Sequence, residues 1–255
     1  MLLHKKINNT YEKINMKHNR HVLILGGSSD IGVEVVKIFL KLNWVVTAQY
    51  NKNIKNLSIL KNYGKLNLIK FNFADDKYLR SEKLIMKKFN KKYDSVINLV
   101  GYIDNKSFEG TNLKSIFKSL TANAILPMMV ERILIKKMLT QKWGRILNCS
   151  SIGVKFGGGI NSYNYALSKH CLEFIPNSYK NWAKRNVFIN NLRIGVTNTK
   201  IHNRMKKNLK IKERLKLVPI NRMAEPKEIA IYIKNLTTQE NSYMTGQTIT
   251  VSGGE

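Results

Sequence analysis

In the stretch SYNYALSKH, residues 162–170, Tyr165 and Lys169 stand four apart, and an α-helix turning about 100° per residue brings that spacing onto one face. A phenol titrates at about 10 in water, so as a proton donor cycling at neutral pH it gains from a cation that stabilises its phenolate. Lys169 supplies that cation. Tyr163, six positions before Lys169, faces elsewhere and reads as packing or lid. Ser151 lies fourteen residues before Tyr165 at the end of an apolar run. There its hydroxyl can bond the same carbonyl oxygen that Tyr165 protonates, with Ser150 as the fallback. Together these side chains suit acid catalysis at a carbonyl group. The plainer alternatives are a Tyr/Lys pair on a helix surface and an ordinary strand-end serine.

Such residues need a frame to bring them together. Seven short, mostly apolar runs are candidates for strands: HVLILGG (21–27), WVVTAQY (44–50), LNLIKFNF (66–73), SVINLVG (95–101), GRILNCSS (144–151), VFINNLRIG (187–195) and QTITVSGG (247–254). The segments between them are long enough for helices, and VEVVKIFLKL (33–42) carries apolar residues at helical spacing. Because each parallel crossover needs about a dozen residues or more, the alternation predicts an α/β fold. Its sheet is doubly wound, parallel, seven-stranded and of Rossmann type, with helices on both faces. Sheets of this kind bind ligands beyond the carboxyl ends of their strands, which is where Ser151 falls.

The 255 residues, 43% of them hydrophobic, suffice for one large core. Residues 1–20 are polar and lack the apolar stretch of a secretory signal, so they read as a flexible N-terminal extension, with Met16 as an alternative start. Every apolar run is interrupted well before the roughly 20 residues of a membrane span, which predicts a soluble, cytoplasmic protein. The only cysteines, Cys149 and Cys171, form no C-x-x-C or Cys/His pattern, so neither a disulfide nor a metal site is expected. A net charge of +28 would suit nucleic acid, but the excess is mostly lysine, runs the whole length and accompanies no nucleic-acid motif. It reads as a solvated lysine-rich surface.

A second chemistry-bearing stretch is LGGSSDIG (25–32). Glycines after a first strand let the backbone turn tightly and approach a pyrophosphate, whose charge meets the N-terminus of the next helix. Gly26, Ser28, Ser29, Asp30, Ile31 and Gly32 are the candidates. At the end of the second strand, a carboxylate would bond a ribose 2′-hydroxyl and repel a 2′-phosphate. Here stand Tyr50, Asn51 and Lys52. NADP(H) is therefore favoured, with NAD(H) as the alternative and Lys52 or Ser29 available to the phosphate.

The glycine turn resembles the T-G-x-x-x-G-x-G turn of the short-chain dehydrogenase/reductase family, with Gly26 and Gly32 in the first and last glycine places, Leu25 for the threonine and Asp30 for the middle glycine. NLVG (98–101) is similar to the family's N-N-A-G, with Leu99 and Val100 as departures; the resemblance gives Asn98, Val100 and Gly101 the task of bracing the sheet beside the cofactor. Asn123, in TANAILPM, matches the family's helix asparagine, whose backbone carbonyl holds a water that relays protons to the lysine. Pro127 shortly after it removes a backbone donor and should disturb the helix. Asn72 and Phe73 fall where the family has Asp and an aliphatic residue against the adenine. RIGVTNT (193–199) resembles P-G-x-x-x-T with Ile194 for proline, which would set Gly195, Val196, Thr197 and Thr199 against the nicotinamide carboxamide.

The resemblance covers residues 21–255 and implies a single NAD(P)-binding domain with Asn123, Ser151, Tyr165 and Lys169 as its catalytic set. Tyr165 would protonate the substrate oxygen, Ser151 would polarise it, and Lys169 would lower the phenol pKa and hold the nicotinamide ribose. Asn123 would refill the proton. The tail, ending TGQTITVSGG, is most similar to the 3-oxoacyl-carrier-protein reductase branch.

The segment after Thr199, KIHNRMKKNLKIKERLKL, reads as a helical lid, and its basic charge would steer an acidic substrate or carrier. Lys142 and Arg185 are basic where the acyl-carrier reductases dock with arginines. A carrier-linked 3-oxoacyl thioester is thus one substrate. A nucleotide sugar, another sugar or a small hydroxy/keto compound is the other, and GGG at 157–159, one residue longer than usual in that branch, allows a different pocket. Two further classes compete: an NADPH-binding regulator without turnover, and a basic nucleic-acid binder. The family commonly assembles as dimers or tetramers through the Tyr/Lys helix and the last strand, so a homo-oligomer is expected. Pro176 lies inside that helix, where it should break a backbone hydrogen bond and kink the contact surface.

Overall fold

Seven parallel strands make one sheet in the computed structural model, which describes residues 20–200 and 210–255. The strands are β1 (His21–Leu25), β2 (Val45–Tyr50), β3 (Leu66–Lys70), β4 (Ser95–Asn98), β5 (Gly144–Ser151), β6 (Val187–Ile194) and β7 (Thr248–Val251). Their order across the sheet is β3-β2-β1-β4-β5-β6-β7. Each of the seven apolar runs contributes one strand, as expected. The extension over 1–19 and the lid residues 201–209 lie outside the described residues. Among the described residues, no helix is long and apolar enough to cross a membrane.

Covering both faces explains why the strands read as continuous apolar runs rather than alternating ones. In β1, Leu23 and Leu25 face one layer and Val22 and Ile24 the other. On the first face lie Phe71, from the end of β3, and Phe89, Leu126, Leu134 and Met138, packed from helices α2 (Glu82–Phe89) and α4 (Leu126–Gln141). On the second lie Val36, Phe39, Ile229 and Ile233, from α1 (Asp30–Lys41) and α8 (Pro226–Thr237). Each such side chain, fully buried, contributes about 1.5–3 kcal/mol.

The chain builds outward from β1 to β3 and then returns to the far side of β1 as β4. That reversal leaves a crevice beyond the carboxyl ends of β1 and β4, where the glycine turn and NLVG emerge. Helix α3 (Leu113–Leu120) runs into one π-helical turn, Thr121–Ile125, before α4 begins. Pro127 then occupies the first turn of α4, where a missing N–H is least costly. The disturbance expected there takes the form of the π turn, with Asn123 inside it. Helix α5 (Tyr163–Leu172) ends before Pro176 and the chain re-forms a helix only at α6 (Tyr179–Ala183), so Pro176 lies in the connection between two helices and not inside a kinked one as expected, its ring disfavouring helical backbone just before it. A further helix, α7 (Lys210–Lys216), follows the gap.

Candidate active site

At the nucleotide end, Gly26 turns with φ +74°, a conformation few side chains tolerate. A Cβ there would stand 2.6 Å from the Leu99 carbonyl oxygen, and one on Gly32 would stand 2.5 Å from the Gly26 oxygen. The turn therefore presses backbone on backbone, leaving a side-chain-free cradle at the start of α1. Ser29 caps that helix: its hydroxyl donates to the Gly26 carbonyl at 2.7 Å and accepts from Gly32 N at 3.1 Å. Gln49, buried in β2, accepts from Gly26 N at 2.7 Å and donates to the Phe71 carbonyl at 2.5 Å, so one carboxamide ties the turn to β3. Asp30 accepts from Lys200 N at 2.7 Å, joining the first helix to the segment after β6. This cradle at a helix N-terminus fits a dinucleotide's pyrophosphate.

At the tip of β2, Tyr50 is half-buried and Asn51 and Lys52 are exposed, with no carboxylate among them. Asn72 accepts from Ala74 N at 3.1 Å. Phe73 departs from the adenine contact expected of its side chain. It is 4% exposed and packs at 4.7 Å on Phe71 within the aromatic core, which leaves only its backbone for the cleft. Asn98 turns inward, accepting from Val100 N at 3.1 Å and donating to Asn148 at 3.0 Å. Gly101 is exposed at the crevice edge. In the turn after β6, Gly195 packs so closely that a Cβ would meet Ser252 Cα at 2.5 Å, and Thr197 donates to the Gly195 carbonyl at 3.0 Å. Val196 accepts from Ala224 N at 2.9 Å, and Thr199 is half-buried. Ser28 and Ile31 are half-buried on the turn and the first helical turn.

At the reacting end, the helical spacing brings Lys169 beneath Tyr165: the ammonium nitrogen lies 5.8 Å from the centre of the phenol ring. Lys169 is 2% exposed and donates to the carbonyls of Val100 at 2.8 Å and Cys149 at 2.6 Å. It thus bridges the tips of β4 and β5, and one of its three protons stays uncommitted among the described residues. Burial pulls its pKa down to about 8, against the pull of Cys149 and Glu173. Burial pushes the Tyr165 phenol up to about 12, and the neighbouring Ser151 hydroxyl offsets only part of that rise. The phenol is accordingly neutral at pH 7, the form that donates.

Ser151 also accepts from Gly153 N at 3.2 Å, capping the short turn that follows β5. Ser150 instead points at the backbone of α5, 3.4 Å from the Lys169 carbonyl. Tyr163 packs edge-on against Phe108 at 4.9 Å, away from Lys169. Asn123, fully buried, accepts from Tyr102 N at 2.7 Å and donates to the Tyr102 carbonyl at 2.9 Å and Ser168 Oγ at 2.8 Å. Ser168 in turn donates to the Tyr165 carbonyl at 2.8 Å, so Asn123 clamps the loop after β4 to the Tyr/Lys helix.

Sequence reasoning missed Gln49, Ser168, Asn148 and Glu131. The available signal was polar residues inside apolar runs, as in WVVTAQY and GRILNCSS, where a buried polar group must have a partner.

Residues 27–255 match the family model described as enoyl-(acyl carrier protein) reductase. A 3-oxoacyl-(acyl-carrier-protein) reductase of Aquifex aeolicus is 32% identical over 183 residues, 69% of this chain and 73% of the relative. The enzyme of the same name from Chlamydia pneumoniae is 28% identical over 251 residues, 92% and 96% of the two chains. A crystal structure of a 3-oxoacyl (acyl-carrier-protein) reductase from Agrobacterium tumefaciens C58 with NADP bound superposes with a TM-score of 0.83, covering 93% of this chain and 95% of that one at 18% identity. At that identity the likeness speaks to the fold.

Proposed function

The chain belongs to the short-chain dehydrogenase/reductase family and is an NAD(P)-dependent oxidoreductase, and from that premise we propose that it uses NADP(H) to reduce a 3-oxoacyl thioester to the hydroxyacyl product. The observation that carries the reading is the convergence of Ser151, Tyr165 and Lys169 at the tips of β4 and β5. When bound, the nicotinamide supplies the hydride. Gly26, Ser28, Ser29, Asp30, Ile31 and Gly32 would hold its pyrophosphate, and Gly195, Val196, Thr197 and Thr199 its carboxamide.

Tyr165, neutral and beside Ser151, gives its proton to the substrate oxygen as negative charge develops there. Ser151 is close enough to share that oxygen. Lys169, held by two carbonyls, would offer its remaining proton to a ribose hydroxyl of the bound cofactor and its charge to the nascent phenolate. Asn123 keeps the loop and the Tyr/Lys helix in register, with its backbone carbonyl on the route by which the proton is replaced. The absence of an acid at Tyr50, Asn51 and Lys52 supports NADP(H) over NAD(H).

An apolar rim supports an acyl substrate. Phe108, Phe156 and Ile160 are 63%, 53% and 87% exposed on the loops flanking Tyr163, where an alkyl chain would cover them. Basic Lys142 and Arg185 are both exposed and available to an acidic carrier. The same reading includes a cytoplasmic dimer or tetramer, with exposed Leu167 and Phe174 on and just beyond α5 among the contact residues. The test is NADPH oxidation against 3-oxoacyl thioesters, keto-sugars and simple ketones, with NADH in parallel. Turnover of keto-sugars alone would replace the acyl assignment, and NADPH binding without any turnover would leave a regulator.

A further inference from the structure

Glu131 lies on α4 among inward-facing apolar residues such as Val130, Leu134 and Met138, and is 4% exposed. Burying a carboxyl group is costly unless its oxygens are hydrogen-bonded. Here Oε2 accepts from Asn148 Nδ2 at 3.3 Å, whereas Oε1 is buried with no partner among the described residues. An acid retained in the core under those terms calls for a purpose beyond packing, and its neighbour supplies one.

From Asn148 a single row of hydrogen bonds leads to the reacting end. Asn148 Oδ1 accepts from Asn98 Nδ2 at 3.0 Å, Asn98 Oδ1 accepts from Val100 N at 3.1 Å, and the Val100 carbonyl accepts from Lys169 Nζ at 2.8 Å. Every member of the row is buried. A carboxamide can turn either its oxygen or its nitrogen to a neighbour, because the two ends are nearly equal in size. The row is pinned at both ends. The Val100 N–H can only donate, so Asn98 keeps its oxygen for it and turns its nitrogen to Asn148, and the Glu131 carboxylate accepts the Asn148 nitrogen left at the other end.

We propose that Glu131 is a positioning residue that fixes the orientation of Asn148 and Asn98 and, through them, the Val100 carbonyl that holds Lys169 under Tyr165. The proposal rests on the reading of Tyr165 and Lys169 as the reacting pair. Glu131→Met keeps the length of the side chain and removes the acceptor; Glu131→Gln keeps an acceptor oxygen. With NADPH and the best substrate of the panel, Glu131→Met is expected to lower kcat about tenfold while KM for the carbonyl substrate stays within about twofold, and Glu131→Gln to restore kcat to within about twofold of the parent. A loss of packing alone would not be confined to kcat. In the unliganded protein, the side-chain amide protons of Asn98 and Asn148, followed by NMR, should exchange slowly in the parent and in Glu131→Gln and faster in Glu131→Met.

A folded Glu131→Met chain with parental kcat and unchanged amide exchange overturns the proposal, as does a Glu131→Gln chain as slow as the methionine variant. Should Glu131→Met not fold, Asn148→Ser severs the row from the strand side and carries the same expected loss; parental kcat there is equally fatal. Failure of the underlying reading looks different: the parent protein itself reduces nothing in the panel. The amide exchange then still decides whether Glu131 orients the row.

Discussion

Replacing Lys169 by methionine tests the electrostatics of the site without any ligand. Methionine matches the length of the lysine stem and carries no titrating group. In the folded chain burial brings the Lys169 pKa from its usual 10.5 down to about 8, whereas in the unfolded chain it returns to the ordinary value. At pH 7 the amine is protonated in both states, so the native state bears the whole penalty of a buried cation. As the pH rises from 8 toward 10.5, the folded amine has lost its proton and the unfolded amine has not. The unfolded state then binds more protons, and stability rises with pH.

A separation of about 2.5 pKa units corresponds to about 3 kcal/mol. The unfolding free energy of the parent minus that of Lys169→Met is therefore expected to grow by about 3 kcal/mol between pH 7 and pH 10.5. The assay is urea unfolding followed by tryptophan fluorescence at several pH values. Taking the difference between the two proteins cancels the titration of every other lysine. A difference that stays flat would show that the amine keeps ordinary basicity, and the argument that burial between two carbonyls tunes it would fail.

Other expectations are simpler to check. Tyr165→Phe should lower kcat by at least about a hundredfold while sparing NADPH binding, and Tyr163→Phe, whose ring packs on Phe108, should lower it by no more than about twofold. Equal losses in steady-state assays of the two would contradict the helical-face argument. Gly26→Ala brings a Cβ to 2.6 Å from the Leu99 oxygen at a positive φ, so NADPH affinity by fluorescence titration should fall more than about tenfold. Asn51→Asp sets a carboxylate at the tip of β2 and should move the NADPH:NADH ratio of kcat/KM toward NADH by about tenfold or more. An unchanged ratio would remove Asn51 from the 2′-phosphate pocket.

Local rules made the frame legible. Apolar runs buried on both faces, such as Leu23 and Ile24 in β1, mark parallel strands without any knowledge of their partners. The Tyr165/Lys169 pair follows from helical spacing alone. What escaped depends on residues far apart in the chain. Glu131 meets Asn148 across 17 positions, Asn148 meets Asn98 across 50, and Asp30 meets Lys200 across 170. Spacing carries no trace of such pairs. Phe73 misled for a related reason: a side chain at a strand tip can turn to the cleft or to the core, and the choice is made by Phe71 and Phe89 once the layers pack.

Lys169 hangs from main-chain oxygens on two adjacent strands, so its height in the cleft is set by how far apart those strands lie. Val96 with Ile146, and Ile97 with Leu147, line the same boundary further down, remote from any ligand. The main-chain ladder that pairs those strands fixes their separation at about 4.8 Å, so the amine inherits the rigidity of the sheet rather than that of a loop.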